Sequence, residues 1–337
     1  MRFLLDDEQR EFARTLDGML RAAGTPGVVR SWASGDHRPG RALWARLAEA
    51  GVFALAVPEE HEGLGLLPVE LAVAFGELGR HAVPGPLAET VAAGALLGRL
   101  GGDAAGDAAH VWLPQLASGK AVASLCVLSQ GGSPYALDAD AADAVFVVDG
   151  DTVRLADSHG PVQPSADPAR RPARPLGGVV LTQGPVVTAA AAYAADVAAL
   201  ATAAQALGAG RALLERTVEY VRQRTQFGVA VGSFQAVKHR LADTLIALEF
   251  AQPLVYAAAL ALAADDPAAG REVAAAKVSA CEAAYAAART ALQLHGAVGY
   301  TEELDLSLWI RKARPLRTAW GTPAVCRARV LADGAVR

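Results

Sequence analysis

A guanidinium, an amide, an aromatic ring and a glycine fall close together in RTQFGVAVGSFQAVKHRLAD (224–243), as Arg224, Gln226, Phe227 and Gly228. Arg224 lies at the end of one helical run, Phe227-Gly228 terminates that run, and Ser233 is a candidate N-cap for the next. A cation between a helix end and a helix start suits a phosphate, because side chain and orphan N–H groups converge on an anion. A capping or solvated arginine is the alternative. A second segment, QLHGAVGYTEE (293–303), places Gln293 and Gly296 in a glycine-rich turn. His295 there suits either a cofactor hydrogen bond or loop packing.

Carboxylates able to take a proton are few around these segments. Asp196 reads, from its residues alone, as a solvent-facing, cap-like residue at a helix start. Glu302, Glu303 and Asp305 read as caps and solvated acids, or as substitute bases. Lys238, His239 and Arg240 read as a solvated face, as does RKAR (311–314), which could instead steer anions. Trp309 and Trp320 read as core or interface. Cys126, Cys281 and Cys326 are widely spaced, with no CxxC or Cys/His pattern, so no metal is expected. Cys281, among alanines, reads as a small buried apolar side chain.

These groups need a scaffold. Residues 1–108 read as a helical domain, with Asp6 or Asp7 capping a helix through Phe12, Leu16 and Leu20. Residues 109–187 contain short β-rich runs, VASLCVL, DAVFVVDG, DTVRLAD and LGGVVLTQ, and Asp149-Gly150 signals a hairpin. Residues 188–337 return to three long amphipathic runs and a shorter one, DLSLWIRKAR. Helical, β, helical, with long antiparallel helices last, predicts a mainly α chain: a small middle β domain and a C-terminal bundle.

Composition excludes several classes. The 337 residues are 53% hydrophobic and 20% charged, ample for a large core. A net charge of −4 without a basic run argues against nucleic acid or an anionic membrane as partner. The start, MRFLLDDEQREF, carries acids at once and does not read as a signal peptide. The apolar stretches are broken by charge, Gly or Pro, so no transmembrane helix is expected. Reduced thiols and a cytoplasmic location follow.

RTQFG followed by GSFQ and LAD resembles the FAD-meeting stretch of acyl-CoA dehydrogenases. QLHGAVGYTEE resembles that family's glycine-rich loop, and PEEHEGLGL with GELGR (58–80) resembles its N-terminal helical domain. The order and separations agree, over nearly the whole chain. The resemblance implies a helical domain, a β-barrel-like domain and a four-helix bundle. It implies α,β-dehydrogenation of an acyl-CoA thioester, with a carboxylate removing the α-proton and FAD taking the hydride. It also implies electron-transferring flavoprotein as acceptor, and FAD sites shared between subunits. Arg224, Gln226, Phe227, Gly228, Gln293, Gly296 and Thr322 occupy the cofactor positions, and Asp196 one that touches the CoA arm. Ala297 stands where the family's second loop glycine would be.

The resemblance breaks where the base belongs. The position of the usual glutamate, before a retained Gly321-Thr322, holds Trp320. The alternative base position on the first bundle helix holds Ala198, beside Ala199. Neither takes a proton, so no catalytic residue is assigned. CVLSQGGSPYALDADAAD (126–143) lacks the family's Thr-Glu-Pro stretch. By this resemblance, most residues serving a neighbour's FAD are kept while most of those serving this chain's own site are lost. That pattern resembles the short subunits of actinobacterial heterotetrameric steroid-CoA dehydrogenases, with the base on a second acyl-CoA dehydrogenase subunit. The alternatives are an active homo-oligomer with a displaced base such as Asp196 or Glu302, acting on acyl-CoA or an acyl-carrier protein, and a flavin-free scaffold.

Overall fold

The computed structural model describes residues 4–105, 107–128 and 133–332. Ser129, Gln130, Gly131 and Gly132, within the stretch lacking Thr-Glu-Pro, lie outside the described residues. Six helices come first: α1 (Asp7–Ala22), α2 (Thr25–Ala33), α3 (Arg38–Glu49), α4 (Pro68–Arg80), α5 (Leu87–Ala105, interrupted at Gly101, φ 69°) and α6 (Asp107–Ala117). Strands follow: β1 (Ala123–Val127), β2 (Ala136–Leu137), β3 (Ala144–Asp149), β4 (Thr152–Leu155), β5 (Ser158–His159), β6 (Pro172–Ala173), β7 (Pro175–Leu176) and β8 (Val179–Gln183). The chain ends with α7 (Pro185–Gln223), β9 (Thr225–Gln226), β10 (Val229–Ala230), α8 (Gln235–Ala263), α9 (Ala269–His295), α10 (Leu306–Thr318) and α11 (Pro323–Ala332). The fold is mainly α with a small β region between two helical regions, as expected.

The division into compact units is not serial along the chain. One unit gathers residues 1–26, 72–83 and 202–337; the other gathers 27–71 and 84–201. Helix α6 crosses the 108/109 position, and β1 begins at residue 123.

In the second unit, β1, β3, β4 and β8 form one sheet in that order, β1 parallel to β3 and the other pairs antiparallel. Cys126, Val145 and Val147 pack with Ala136, Ala139 and Ala173. Asp149 still pairs with Thr152, so the hairpin loop is Gly150-Asp151, one residue later than expected, with Gly150 at φ 61°. Arg41 spans from α3 to the Asp143 carboxylate (2.7 Å) and the Ala141 carbonyl (2.6 Å).

In the first unit, Asp6 caps α1. Its carboxylate accepts from the Gln9 amide at 2.8 Å, and the Gln9 side chain accepts from the Asp6 amide at 3.1 Å, a reciprocal capping box. Helices α4 and α7 cross backbone to backbone. A Cβ on Gly79 would lie 1.9 Å from the Gln205 carbonyl oxygen, and one on Gly208 would lie 1.8 Å from that of Gly76. Arg80 ties the crossing through Glu215 at 2.9 Å, and Trp309, fully buried on α10, donates to the Arg80 carbonyl at 2.9 Å. The Arg216 guanidinium sits 4.1 Å from the centre of the Trp309 ring. Trp309 is therefore core.

Helix α9 packs along α8, α10 and α11. Two helices, α7 and α8, are long and apolar enough to cross a membrane by length and composition alone, a test that core helices also pass. The most apolar window of α7 is 67% buried, as for a core helix; that of α8 is 33% buried. On α8, Ile246, Phe250 and Leu254 recur at i, i+4 and i+8, forming an uncovered apolar stripe.

Candidate functional site

The segment 224–234 is a small hairpin at one end of the bundle. Helix α7 stops at Gln223, and β9 and β10 pair antiparallel, Gln226 opposite Val229. Phe227 and Gly228 form the tip, at φ 53° and 79°. Phe227-Gly228 thus turns a hairpin rather than ending the helix. The Phe227 side chain is 93% exposed, edge-on to Phe234 with ring centroids 6.4 Å apart. Ser233 is not the cap of α8: Phe234 holds that position without a side-chain bond, and the Ser233 hydroxyl donates back to the Ala230 carbonyl at 2.6 Å. The Gln226 amide donates to the Thr225 carbonyl at 2.8 Å. Arg224 is exposed, and its side chain has no carboxylate partner among the described residues.

The end of α9 meets this hairpin end through α8. Gln293, exposed near the α9 terminus, accepts a hydrogen bond from the Arg240 guanidinium. Arg240 is thus no mere solvated neighbour of Lys238 and His239; this contact spans 53 residues, which local spacing cannot reveal. Gly296 takes φ 65° as the α9 C-cap, and a Cβ there would meet no heavy atom within 4 Å. His295 is a packing residue: it stacks on Tyr220 at 4.0 Å and its Nδ1 bonds the Ala291 carbonyl at 2.8 Å. Burial pushes its pKa down, so the ring is held neutral. An exposed ring, two cations and amide donors around an open glycine cap suit an anionic ligand carrying an aromatic group.

The two positions compared above with the family's base lie in different surroundings. Ala198 is fully buried in α7. Trp320 is half-buried in the turn between α10 and α11 at φ 52°, followed by Gly321 at φ 124°. That turn is clamped by Lys277, 1% exposed on α9, whose ammonium donates to the carbonyls of Leu316 (3.0 Å), Arg317 (3.5 Å) and Gly321 (3.4 Å). Lys277 is not among the residues that sequence singles out, although a lone lysine among alanines on an apolar helix face is a signal. Thr322 caps α11, its hydroxyl accepting from the Val325 amide at 3.3 Å.

The other acids divide. Asp196 lies eleven residues into α7 and is 7% exposed, so it is neither a cap nor solvent-facing. Three residues before it, the Tyr193 ring lies 4.0 Å beneath the Arg99 guanidinium. Glu302 is exposed and paired with Arg311 at 2.8 Å. Asp305 is the N-cap of α10 without a side-chain cap bond. In RKAR, Lys312 and Ala313 are buried, so that run is no uniformly solvated basic face. Cys281 is buried, and its desolvated thiol has a raised pKa, as befits a packing residue.

Comparison with known proteins agrees with this architecture. The acyl-CoA dehydrogenase N-terminal domain matches residues 6–120, and the acyl-CoA dehydrogenase C-terminal domain matches residues 188–334. The chain is 34% identical over 312 residues to acyl-CoA dehydrogenase IpdE2 of Mycobacterium tuberculosis, covering 91% of both. It is 31% identical over 319 residues to IpdE2 of Mycolicibacterium smegmatis, covering 94% of this chain and 96% of that one. Among solved structures, the Tcur3481-Tcur3483 steroid ACAD superposes with a TM-score of 0.84 at 24% identity, over 98% of this chain and 99% of its own. The ChsE4-ChsE5 complex of Mycobacterium tuberculosis superposes with a TM-score of 0.84 at 23% identity, over 100% of both chains. Two matched domains and end-to-end relatives of the same kind, on the helical–β–helical scaffold described above, make this chain a member of the acyl-CoA dehydrogenase family of FAD-dependent oxidoreductases.

Proposed function

We propose that this chain is the FAD-contacting, base-less subunit of a heteromeric acyl-CoA dehydrogenase that desaturates a CoA thioester. The observation that carries the reading is the donor arm at the hairpin end of the bundle. Arg224, Phe227, Gln293 and Gly296 present charge, ring face, amide and open backbone outward, away from the core of their own chain. They fit a flavin dinucleotide. The guanidinium suits its diphosphate, Phe227 suits a planar ring, and Gly296 leaves room for close approach. FAD supplies hydride acceptance when bound. Gln226 and Gly228 share the hairpin of this arm; Thr322, in the separate α10–α11 turn, is proposed as a further cofactor contact, and Asp196 would meet the CoA portion of the thioester.

Trp320 and Ala198 cannot hold the α-proton, so the base belongs to a second acyl-CoA dehydrogenase subunit. The stripe Ile246, Phe250 and Leu254 on α8 supports an apolar subunit contact. Likeness to the ChsE4-ChsE5 complex supports a paired assembly, and likeness to the steroid ACAD a bulky, ring-bearing acyl group; electron-transferring flavoprotein is the acceptor in this reading. The absorbance spectrum tests this. The full chain alone is expected to carry no flavin bands, and the co-purified heteromer to carry bands that bleach with acyl-CoA. A flavin retained by the chain alone and bleached by acyl-CoA would refute the partner and leave buried Asp196 as the displaced base. Absence of flavin in both states would leave a scaffold.

A further inference from the structure

We infer that Arg240 is a positioning residue for the shared flavin site: it fixes the orientation of the Gln293 amide so that its N–H₂ donors face the dinucleotide. The inference rests on the flavin-arm reading above and adds a residue to it. The register that brings the pair together is set one turn deeper. There the Thr244 hydroxyl donates to the Arg240 carbonyl at 2.9 Å and lies 3.4 Å from the Thr290 hydroxyl of α9. Thr244 is buried, so this rung holds α8 against α9 and places Arg240 opposite Gln293.

A guanidinium has donors only, so it selects the Gln293 oxygen; the amide nitrogen must then turn away from Arg240. Among the described residues, neither the Gln293 nitrogen nor the remaining Arg240 donors meet an acceptor, and no carboxylate neutralises Arg240. An amide whose oxygen is already taken, beside an uncompensated cation, is arranged for an oxygen-rich anion such as a diphosphate. Lacking Arg240, the amide rotates freely and presents its oxygen to that anion in a large share of its orientations.

The test uses the full chain assembled with its partner subunit and FAD titrated by flavin fluorescence. Arg240→Met is expected to weaken FAD binding about 5-fold, the range of one exposed charge-assisted hydrogen bond, with unchanged thermal unfolding. Arg240→Lys recovers part of the loss. The double variant Arg240→Met/Gln293→Ala loses less FAD affinity than the sum of the two single losses, because part of the Arg240 effect passes through that amide. Gln293→Glu keeps the pair but offers no N–H, and loses FAD affinity. Additive losses in the double variant overturn the positioning role. If Arg224→Met weakens FAD binding and Arg240→Met does not, this inference fails and the flavin-arm reading stands. If neither variant changes FAD affinity, both fail.

Discussion

The ammonium of Lys277 lies 3.0 Å from the carbonyl oxygen of Leu316, inside a helical bundle where 1% of the residue is exposed. Two further carbonyls, of Arg317 and Gly321, share the same three-proton donor. One buried cation thus closes the last turn of α10 and holds the Trp320-Gly321 turn in its left-handed conformation. Lys277→Met removes the donor but leaves the carbonyls buried. It is expected to cost about 2–4 kcal/mol in unfolding free energy and to raise proteolytic cleavage at residues 318–322. Thermal unfolding and limited proteolysis read the two effects; unchanged values for both would remove the clamp.

The α4–α7 crossing tolerates no side chain. Gly208→Ala and Gly79→Ala each place a methyl within 2 Å of a backbone oxygen, whether of Gly76 or Gln205. Each variant is expected to lose at least ~3 kcal/mol or to fail to fold. Gly18, in α1, is the contrast, since a Cβ there would meet nothing within 4 Å. Gly18→Ala is expected to gain up to ~1 kcal/mol from helix propensity. Denaturant titration checks all three.

Burial holds the Glu77 carboxyl at about 7 instead of the usual 4.5. Arg80 and Arg21 pull it down, while Asp17 and Glu215 push it up. Between pH 4.5 and 7 the folded chain therefore binds more protons here than the unfolded chain, and stability falls as pH rises through that window. The buried Asp138, also raised to about 7 by desolvation, acts in the same sense. His81, bonded to Asp17 at 2.8 Å, is shifted below 6.5 by burial and opposes them, since its stabilisation grows as pH rises to 6.5. Glu77→Gln removes one carboxyl from this balance. At pH 8 it is expected to be more stable than the wild type by on the order of 1–3 kcal/mol, with the gap closing at about pH 4.5. Denaturant titration at the two pH values measures the gap.

The apolar stripe of α8 should report on assembly. Ile246 and Phe250, the latter 75% exposed, contribute little to the isolated fold. Ile246→Asp with Phe250→Asp is expected to leave unfolding of the single chain within ~0.5 kcal/mol and to abolish co-purification with the partner subunit. Light scattering after size-exclusion chromatography distinguishes the species.

Much of this was legible in residue order because it is local. The Asp6–Gln9 capping box, the β3–β4 hairpin and the long bundle helices each follow from neighbours within a few positions. The donor arm was visible because Arg224 through Gly228 is one contiguous segment. What stayed hidden spans the chain: Arg240 with Gln293, Lys277 with Leu316, Arg80 with Trp309. Spacing fixes which face of a helix a residue occupies, but not what that face meets. Lys312 misled for the same reason, since charge on a short amphipathic helix ordinarily marks solvent and here lies inside.

One compact unit draws on residues 1–26, 72–83 and 202–337, while the other is nearly contiguous, at 27–71 and 84–201. Helix α1 meets one partner of its own unit early, since Asp17 bonds His81 just after α4, but the remaining segment of that unit begins only at residue 202. Leu16 and Leu20, both fully buried, lie in the first of that unit's three segments. Completing this unit therefore joins segments more than a hundred residues apart, a loop closure that contacts between neighbouring helices do not require.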